Sequence, residues 1–309
     1  YSMSSAVQIT TSLLHNFPTI VAMPRPGSST LTDAFIVTEY TSGTSRMVLY
    51  RRATYDSQAL TVTLFVDGLT VNTEGGGMGT IASYVSSYGL YPVIEFRHTG
   101  DFKTIKNSQP DIFIAWSNGT TGAQAILFRQ ATYNGTSWTW GSQVTLNTGH
   151  GIVNASDWHN LMYDGEECVY VGSLWAGTAN RSDLVVYRTV DGAAPASASI
   201  YTSQSSGTAP LSPSNYYGYG AATLDAYGNI VIFGRGMINN VATYGVVIVD
   251  KYGQTVTAPS TLETGNLNKT HTAVIGGPGA PTIPYLYMYG ATANHPIRTG
   301  SLTRPVNYG

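Results

Sequence analysis

Eight residues of this chain come back almost unchanged. Val48-Leu49-Tyr50-Arg51-Arg52-Ala53-Thr54-Tyr55 returns as Ile126-Leu127-Phe128-Arg129-Gln130-Ala131-Thr132-Tyr133, and each copy runs into a turn, Asp56-Ser57 or Asn134-Gly135. Weaker copies start at Val185 and Val247. Repetition on this scale means stacked supersecondary units, each unable to bury its apolar faces alone.

The unit is larger than the motif. An apolar strand precedes each copy: Asp33 to Val37, Asp111 to Trp116, Cys168 to Gly172, Asn229 to Phe233, with a fifth at Tyr285 to Tyr289. A shorter strand comes before each of these, at Phe17 to Met23, Tyr91 to Arg97, Trp158 to Tyr163, Gly220 to Leu224 and His271 to Ile275. A fourth follows the motif in the first four units, and the N-terminal Ala6-Val7-Gln8-Ile9-Thr10 is spare. Four antiparallel strands per unit, nearly continuously apolar, describe a sheet buried on both faces by its neighbours. The pattern predicts an all-β fold, a β-propeller of five four-stranded blades forming one domain over residues 1–309. The blades cover 17–72, 91–147, 158–202, 216–262 and 270–305, and the strand at 6–10 closes the last one. A six-bladed ring, with a degenerate unit inside Thr73 to Gly89, is the alternative. The 34 Gly, 14 Pro and 22 Tyr are strand and turn residues.

Charge narrows the partners. Only 10% of residues are charged and the net charge is −2, against about 25% charged in ordinary soluble chains. Nucleic acid is therefore not expected as a partner, because phosphate binding needs a basic face. Membrane insertion is not expected either, since no apolar run reaches the roughly 20 residues of a spanning helix. The lone Cys168 lies in an apolar strand and reads as an inert buried thiol. The chain starts at Tyr1, which suggests N-terminal processing, and with the low charge points to an extracellular, cell-surface or virion-surface location. Asn118, Asn134, Asn154, Asn180 and Asn268 open Asn-X-Ser/Thr triplets and are glycosylation candidates.

Loops leading into first strands, and those joining second to third strands, form the ligand face of such a fold. They carry His15, Tyr91, Arg97, Trp158, His159, Trp175, Tyr217, Arg235 and His271. Aromatic faces beside short polar groups suit sugars: CH groups stack on rings while amides and imidazoles pair with hydroxyls. A glycosidase would need two carboxylates across one pocket. Glu95, Asp111, Asp157 and Glu166 are the acids for that alternative, but Asp33 and Asp111 occupy matching repeat positions, which favours a structural cap. No cofactor is expected. A single calcium held by oxygens around Asp157 and Asp164 to Glu167 is the weak alternative. Glu74-Gly75-Gly76-Gly77-Met78-Gly79 lacks the lysine and helix of a phosphate loop and reads as a flexible loop.

The segment from Asn16 to Pro24 followed by Asp33 to Glu39 resembles the opening of sialidase-like propellers, and the blade number is similar to that of five-bladed glycosidases. Tyr133 to Trp138 echoes an aspartate-box turn. The resemblance implies the fold. Asn16 stands where a sialidase would carry an arginine, so the catalytic set does not carry over. The resulting expectation is a non-enzymatic module that binds glycans or a receptor in adhesion, or else packs against neighbouring surface or virion subunits.

Overall fold

The computed structural model describes residues 7–12, 14–25, 27–85, 89–97, 111–118, 125–148, 158–163, 168–175, 182–189, 198–201, 220–225, 227–238, 241–250, 255–264, 272–274, 282–288 and 297–303. No helix occurs among them, and their strands form five antiparallel sheets that follow one another along the chain. The described fold is all-β, built of successive antiparallel sheets as the repeat predicts. Two compact units enclose them: Tyr1–Thr148 with Gly192–Ala194, and Gly149–Asp191 with Pro195–Gly309.

The first unit holds two sheets. Sheet one contains β1 (His15–Pro24), β2 (Leu31–Ser42), β3 (Ser45–Asp56), β4 (Thr61–Phe65), β5 (Val71–Asn72) and β6 (Met78–Val85). Sheet two contains β7 (Val93–Arg97), β8 (Asp111–Ser117), β9 (Ala125–Tyr133), β10 (Trp138–Trp140) and β11 (Val144–Thr148). In both, the third strand is long and the outer position is split into two. β3 pairs with β4 through Arg52 to Asp56 and with β6 through Ser45 to Tyr50. β9 likewise pairs with β10 near Tyr133 and with β11 near Phe128.

The split explains the repeated motif. Arg51 and Arg129 are equivalent, and each guanidinium donates to a carbonyl at the break in the outer strand. Arg51 reaches Gly77 O, and Arg129 Nε reaches Gly141 O at 2.8 Å. The guanidinium supplies a donor to a carbonyl that the interrupted ladder leaves without one. Three residues further on, Thr54 stands opposite Asp33 and Thr132 opposite Asp111. The alanine before each threonine, Ala53 or Ala131, is small and buried. Between the sheets Trp138 meets Phe35 edge-on at 5.0 Å, and Trp140 meets Tyr50 at 4.9 Å. Such T-shaped pairs add about 1 kcal/mol each beyond their buried area.

Two expectations change here. Residues 78–85 are not a degenerate sixth unit; they complete the outer position of sheet one. Residues 7–10 form no strand and do not close the last sheet. They lie on sheet one instead: Arg51 Nη1 donates to Ile9 O at 3.0 Å, and the Thr10 hydroxyl donates to Gly75 O at 3.1 Å. The Gly75–Gly77 segment is a turn built to receive them. Gly76 has φ +69°, and a Cβ there would collide with the Thr10 hydroxyl and the Thr11 amide. The glycines are therefore a docking surface for the chain's own start rather than a flexible loop.

The second unit holds three sheets. Sheet three is β12 (Trp158–Tyr163), β13 (Cys168–Trp175), β14 (Ser182–Thr189) and β15 (Ala198–Tyr201); sheet four is β16 (Ala221–Leu224), β17 (Ile230–Ile238), β18 (Val241–Val249) and β19 (Thr255–Thr264). Each is a plain meander in chain order. Sheet five has β20 (Thr272–Val274), β21 (Thr282–Met288) and β22 (Ile297–Thr303) among the described residues. Val169, Val171, Leu224, Ile230 and Ile232 pack sheets three and four together, and Asn160 Nδ2 donates across to Ala222 O at 3.1 Å. Phe233 and Tyr285 join sheets four and five with rings 5.0 Å apart. Cys168 is buried in this unit.

Candidate functional site

One aromatic pair in the first unit is held with unusual care. β1 enters with a bulge between Asn16 and Thr19. Phe17 sits in that bulge at φ +50°, and its ring lies 4.4 Å from the ring of Tyr91, which has φ +46°. Bulky side chains rarely adopt a left-handed backbone, and such positions persist only where their surroundings over-determine them. Phe17 keeps 48% of its surface exposed, large for a phenylalanine.

The surroundings are visible. Thr38 Oγ1 donates to Asn16 O at 2.8 Å on one side of Phe17. On the other side, Thr19 Oγ1 donates to Pro92 O at 2.7 Å, tying β1 to the segment that leads into β7. Leu90, next to Tyr91, is fully buried in the core between the two sheets. Gly89 leaves room for the Tyr91 ring, since a Cβ at that position would run into it. Glu39, at the end of β2 and 0% exposed, accepts the backbone N–H of Leu90 at 2.6 Å and that of Tyr91 at 3.3 Å through one oxygen. Its other oxygen accepts from Arg46 and from the Thr41 hydroxyl at 3.0 Å. The exposed Asn16 stands beside the pair, so a stacking surface and an amide face solvent together.

The other sequence-selected residues fall differently. His15 is half-buried; it contacts Tyr40 and binds Thr10 Oγ1 through Nε2 at 3.0 Å. Thr10 donates to Gly75 O, so it accepts from His15, which fixes the Nε2–H tautomer. Burial lowers the His15 pKa, a backbone hydrogen bond at Gly75 opposing it in part. His159 is buried in the second unit with Nδ1 2.9 Å from the Tyr170 hydroxyl, and so is not an exposed rim residue. Arg97, Trp158, Trp175 and Arg235 lie on β7, β12, β13 and β17, with only their backbones described. Tyr217 and His271 are outside the described residues, as are Asp157, Glu166, Asn154, Asn180 and Asn268. Asn118 accepts the Ala125 N–H at 3.1 Å and closes a loop. Asn134 is exposed, and its side-chain oxygen accepts the N–H groups of Thr136 and Ser137 at the β9–β10 turn.

Among the acids, Asp33 is structural. Arg25 grips it with a two-pronged pair of 3.0 and 2.7 Å, and Arg52 and Thr54 complete its shell. Burial alone would raise its pKa; the hydrogen bonds of Arg25 and Thr54 and the charges of Arg52 and Arg25 outweigh that and lower it. Arg52 also holds Asp67, which accepts from the Tyr50 hydroxyl at 2.7 Å. Asp111 shares a sheet face with Glu95, because Arg97 pairs with Asp111 and Glu95 with Phe113. Asp111 is 1% exposed, which keeps it from a substrate. Glu95 is pushed up to about 7 by burial, with the N–H of Phe96 partly offsetting it.

What sequence reasoning missed is the link between Phe17 and Glu39. Phe17 was legible as part of the His15-Asn16-Phe17 lead into the first strand, on the expected ligand side, and Glu39 only as one acid among many. The signal beside Phe17 was Pro18, which disfavours a right-handed helical backbone at the residue before it. The role of Glu39 gave no signal, because the backbone N–H groups it holds lie 51 and 52 residues away.

No family model and no curated protein matches the chain. Solved structures with similar folds include an endo-arabinase from Bacteroides thetaiotaomicron, at 9% identity and TM-score 0.46, covering 98% of this chain and 99% of that one. An α-L-arabinofuranosidase from Podospora anserina stands at 10% and 0.39, covering 96% and 91%. The six-bladed fucose-recognising lectin of Aleuria aurantia stands at 9% and 0.36, covering 97% and 100%. At these values the activities in their names belong to those proteins, and function rests on the site.

Proposed function

We propose that this protein is a non-enzymatic glycan-binding propeller, serving adhesion or receptor recognition at a cell or particle surface. The observation that carries this is the pair of an exposed Phe17 and a half-buried Tyr91, fixed in a left-handed backbone on both sides. A pre-set aromatic face lets a sugar ring stack without first ordering the site. Asn16 supplies donor and acceptor for a ring hydroxyl. The low charge supports a surface setting, where hydroxyls and amides carry hydration.

The test is a glycan array with the intact chain and Phe17→Ala. Retention of one or more oligosaccharides by the wild type, lost in Phe17→Ala without loss of melting temperature, is the expected result. Equal retention by both proteins would remove the aromatic pair from the account.

A further inference from the structure

We propose that Glu39 is the positioning residue of this site: its buried carboxylate sets the Tyr91 backbone, and through it the geometry of the aromatic pair. The inference rests on the glycan-binding reading only for its functional half. The structural half stands on hydrogen bonds.

A buried carboxylate must be both paired with a cation and hydrogen-bonded to offset its lost hydration. Glu39 has Arg46 on one oxygen and gives its other oxygen to two successive backbone N–H groups, those of Leu90 and Tyr91. Two consecutive N–H groups can converge on one acceptor only where the backbone curls, and Tyr91 has the positive φ that such a curl brings. A carboxylate accepting from N–H groups makes charge-assisted bonds, roughly twice as strong as neutral ones. That is enough to oppose the strain of a left-handed aromatic residue, which costs on the order of one to a few kcal/mol. Leu90, driven into the core, and Gly89, which makes way for the ring, fix the remaining freedom. The ring of Tyr91 then has one place to lie, against Phe17.

Glutamine at position 39 separates this role from simple packing. Its shape is conserved, but it offers one acceptor where two are used. If its oxygen faces Leu90 and Tyr91, its amide N–H groups face Arg46 and the Thr41 hydroxyl. If reversed, two N–H donors face the backbone donors. The first orientation weakens the ion pair, and the second releases the curl.

The experiment compares wild type, Glu39→Gln, Tyr91→Ala and the double variant. NMR reads the ring-current shifts of the Phe17 protons, and titration with cellotetraose and arabinotetraose reads affinity. Glu39→Gln should collapse the Phe17 shift toward its value in Tyr91→Ala while the rest of the sheet keeps its shifts. It should also weaken oligosaccharide binding about tenfold, the size of one lost charge-assisted hydrogen bond. In the Tyr91→Ala background the same substitution should change affinity less than twofold, because the two residues act as one unit. An unchanged Phe17 shift in Glu39→Gln overturns the proposal, whether or not either oligosaccharide binds. A collapsed shift with binding unaltered by Tyr91→Ala keeps the positioning role and instead defeats the reading of the pair as the sugar platform.

Discussion

Glu39 and Glu95 are two acids of the first unit, placed on neighbouring sheets, and the fold treats them in opposite ways. Glu39 is fully buried and surrounded by donors: two backbone N–H groups, a threonine hydroxyl and an arginine. Glu95 is largely shielded, and among the described residues its hydrogen bond comes from the next N–H in its own strand. Burial favours the protonated form, and the Glu95 carboxyl is pushed up to about 7, the Phe96 N–H partly offsetting it. The contrast teaches that burial of a charge says little by itself. What the charge is aimed at decides whether it organises a site or strains a sheet.

The largest expected effect comes from removing Glu39 altogether. Glu39→Ala removes the carboxylate that faces Arg46 and accepts the N–H groups of Leu90 and Tyr91, and should cost about 3–5 kcal/mol in urea unfolding. A loss under 1 kcal/mol would show that water replaces the clamp and would erase the distinction between the two acids. Glu95 should behave the other way. Its folded pKa is raised above the ordinary 4.5, so stability is lost as pH climbs from about 4.5 through about 7. Glu95→Gln should therefore stabilise the protein by roughly 3 kcal/mol at pH 8 and hardly at all at pH 4. Destabilisation at pH 8 would mean that the carboxylate has a partner after all.

A third acid calibrates the pair. Asp33 is held by side chains of its own sheet, with Thr54 at 2.6 Å from its carboxylate. Thr54→Val should cost about 1–2 kcal/mol, since that oxygen loses the hydroxyl and keeps the donors of Arg25 and Arg52. It should leave the Phe17 ring-current shift untouched, unlike a change at Glu39. The smallest effect concerns the N-terminal segment. His15 titrates below its ordinary 6.5, so docking of residues 9–10 is fully stabilised above that pH and weakens as pH falls through the lowered value. Hydrogen exchange at the Ile9 and Thr10 amides should quicken severalfold relative to the core between pH 7 and pH 5, and His15→Gln should remove that difference.

Much of the architecture was legible from residues alone. β12 runs over Trp158–Tyr163, and the repeat placed the second and third strands of four sheets, because apolar runs and the Ala-Thr motif are local facts. The motif's reason was not legible. Arg51 and Arg129 answer to carbonyls at a break in another strand, and nothing near them in sequence reports it. Val7 to Thr10 looked like a strand by its alternation, yet its partner is a glycine turn some 65 residues on. The tract at Thr73 to Gly89 looked like surplus loop because its glycines hide the strand Met78–Val85. The site was less legible still. Tyr91 was visible as an aromatic at the edge of a strand, but a positive φ on Phe17 and a carboxylate that grips a distant backbone are tertiary properties.

Backbone and methyl chemical-shift mapping with cellotetraose and arabinotetraose tests the central claim most directly. The largest perturbations should fall on Asn16, Phe17 and Tyr91, vanish in Phe17→Ala and leave the Asp33–Arg52 network still. Perturbations gathered elsewhere, or surviving Phe17→Ala undiminished, would contradict it.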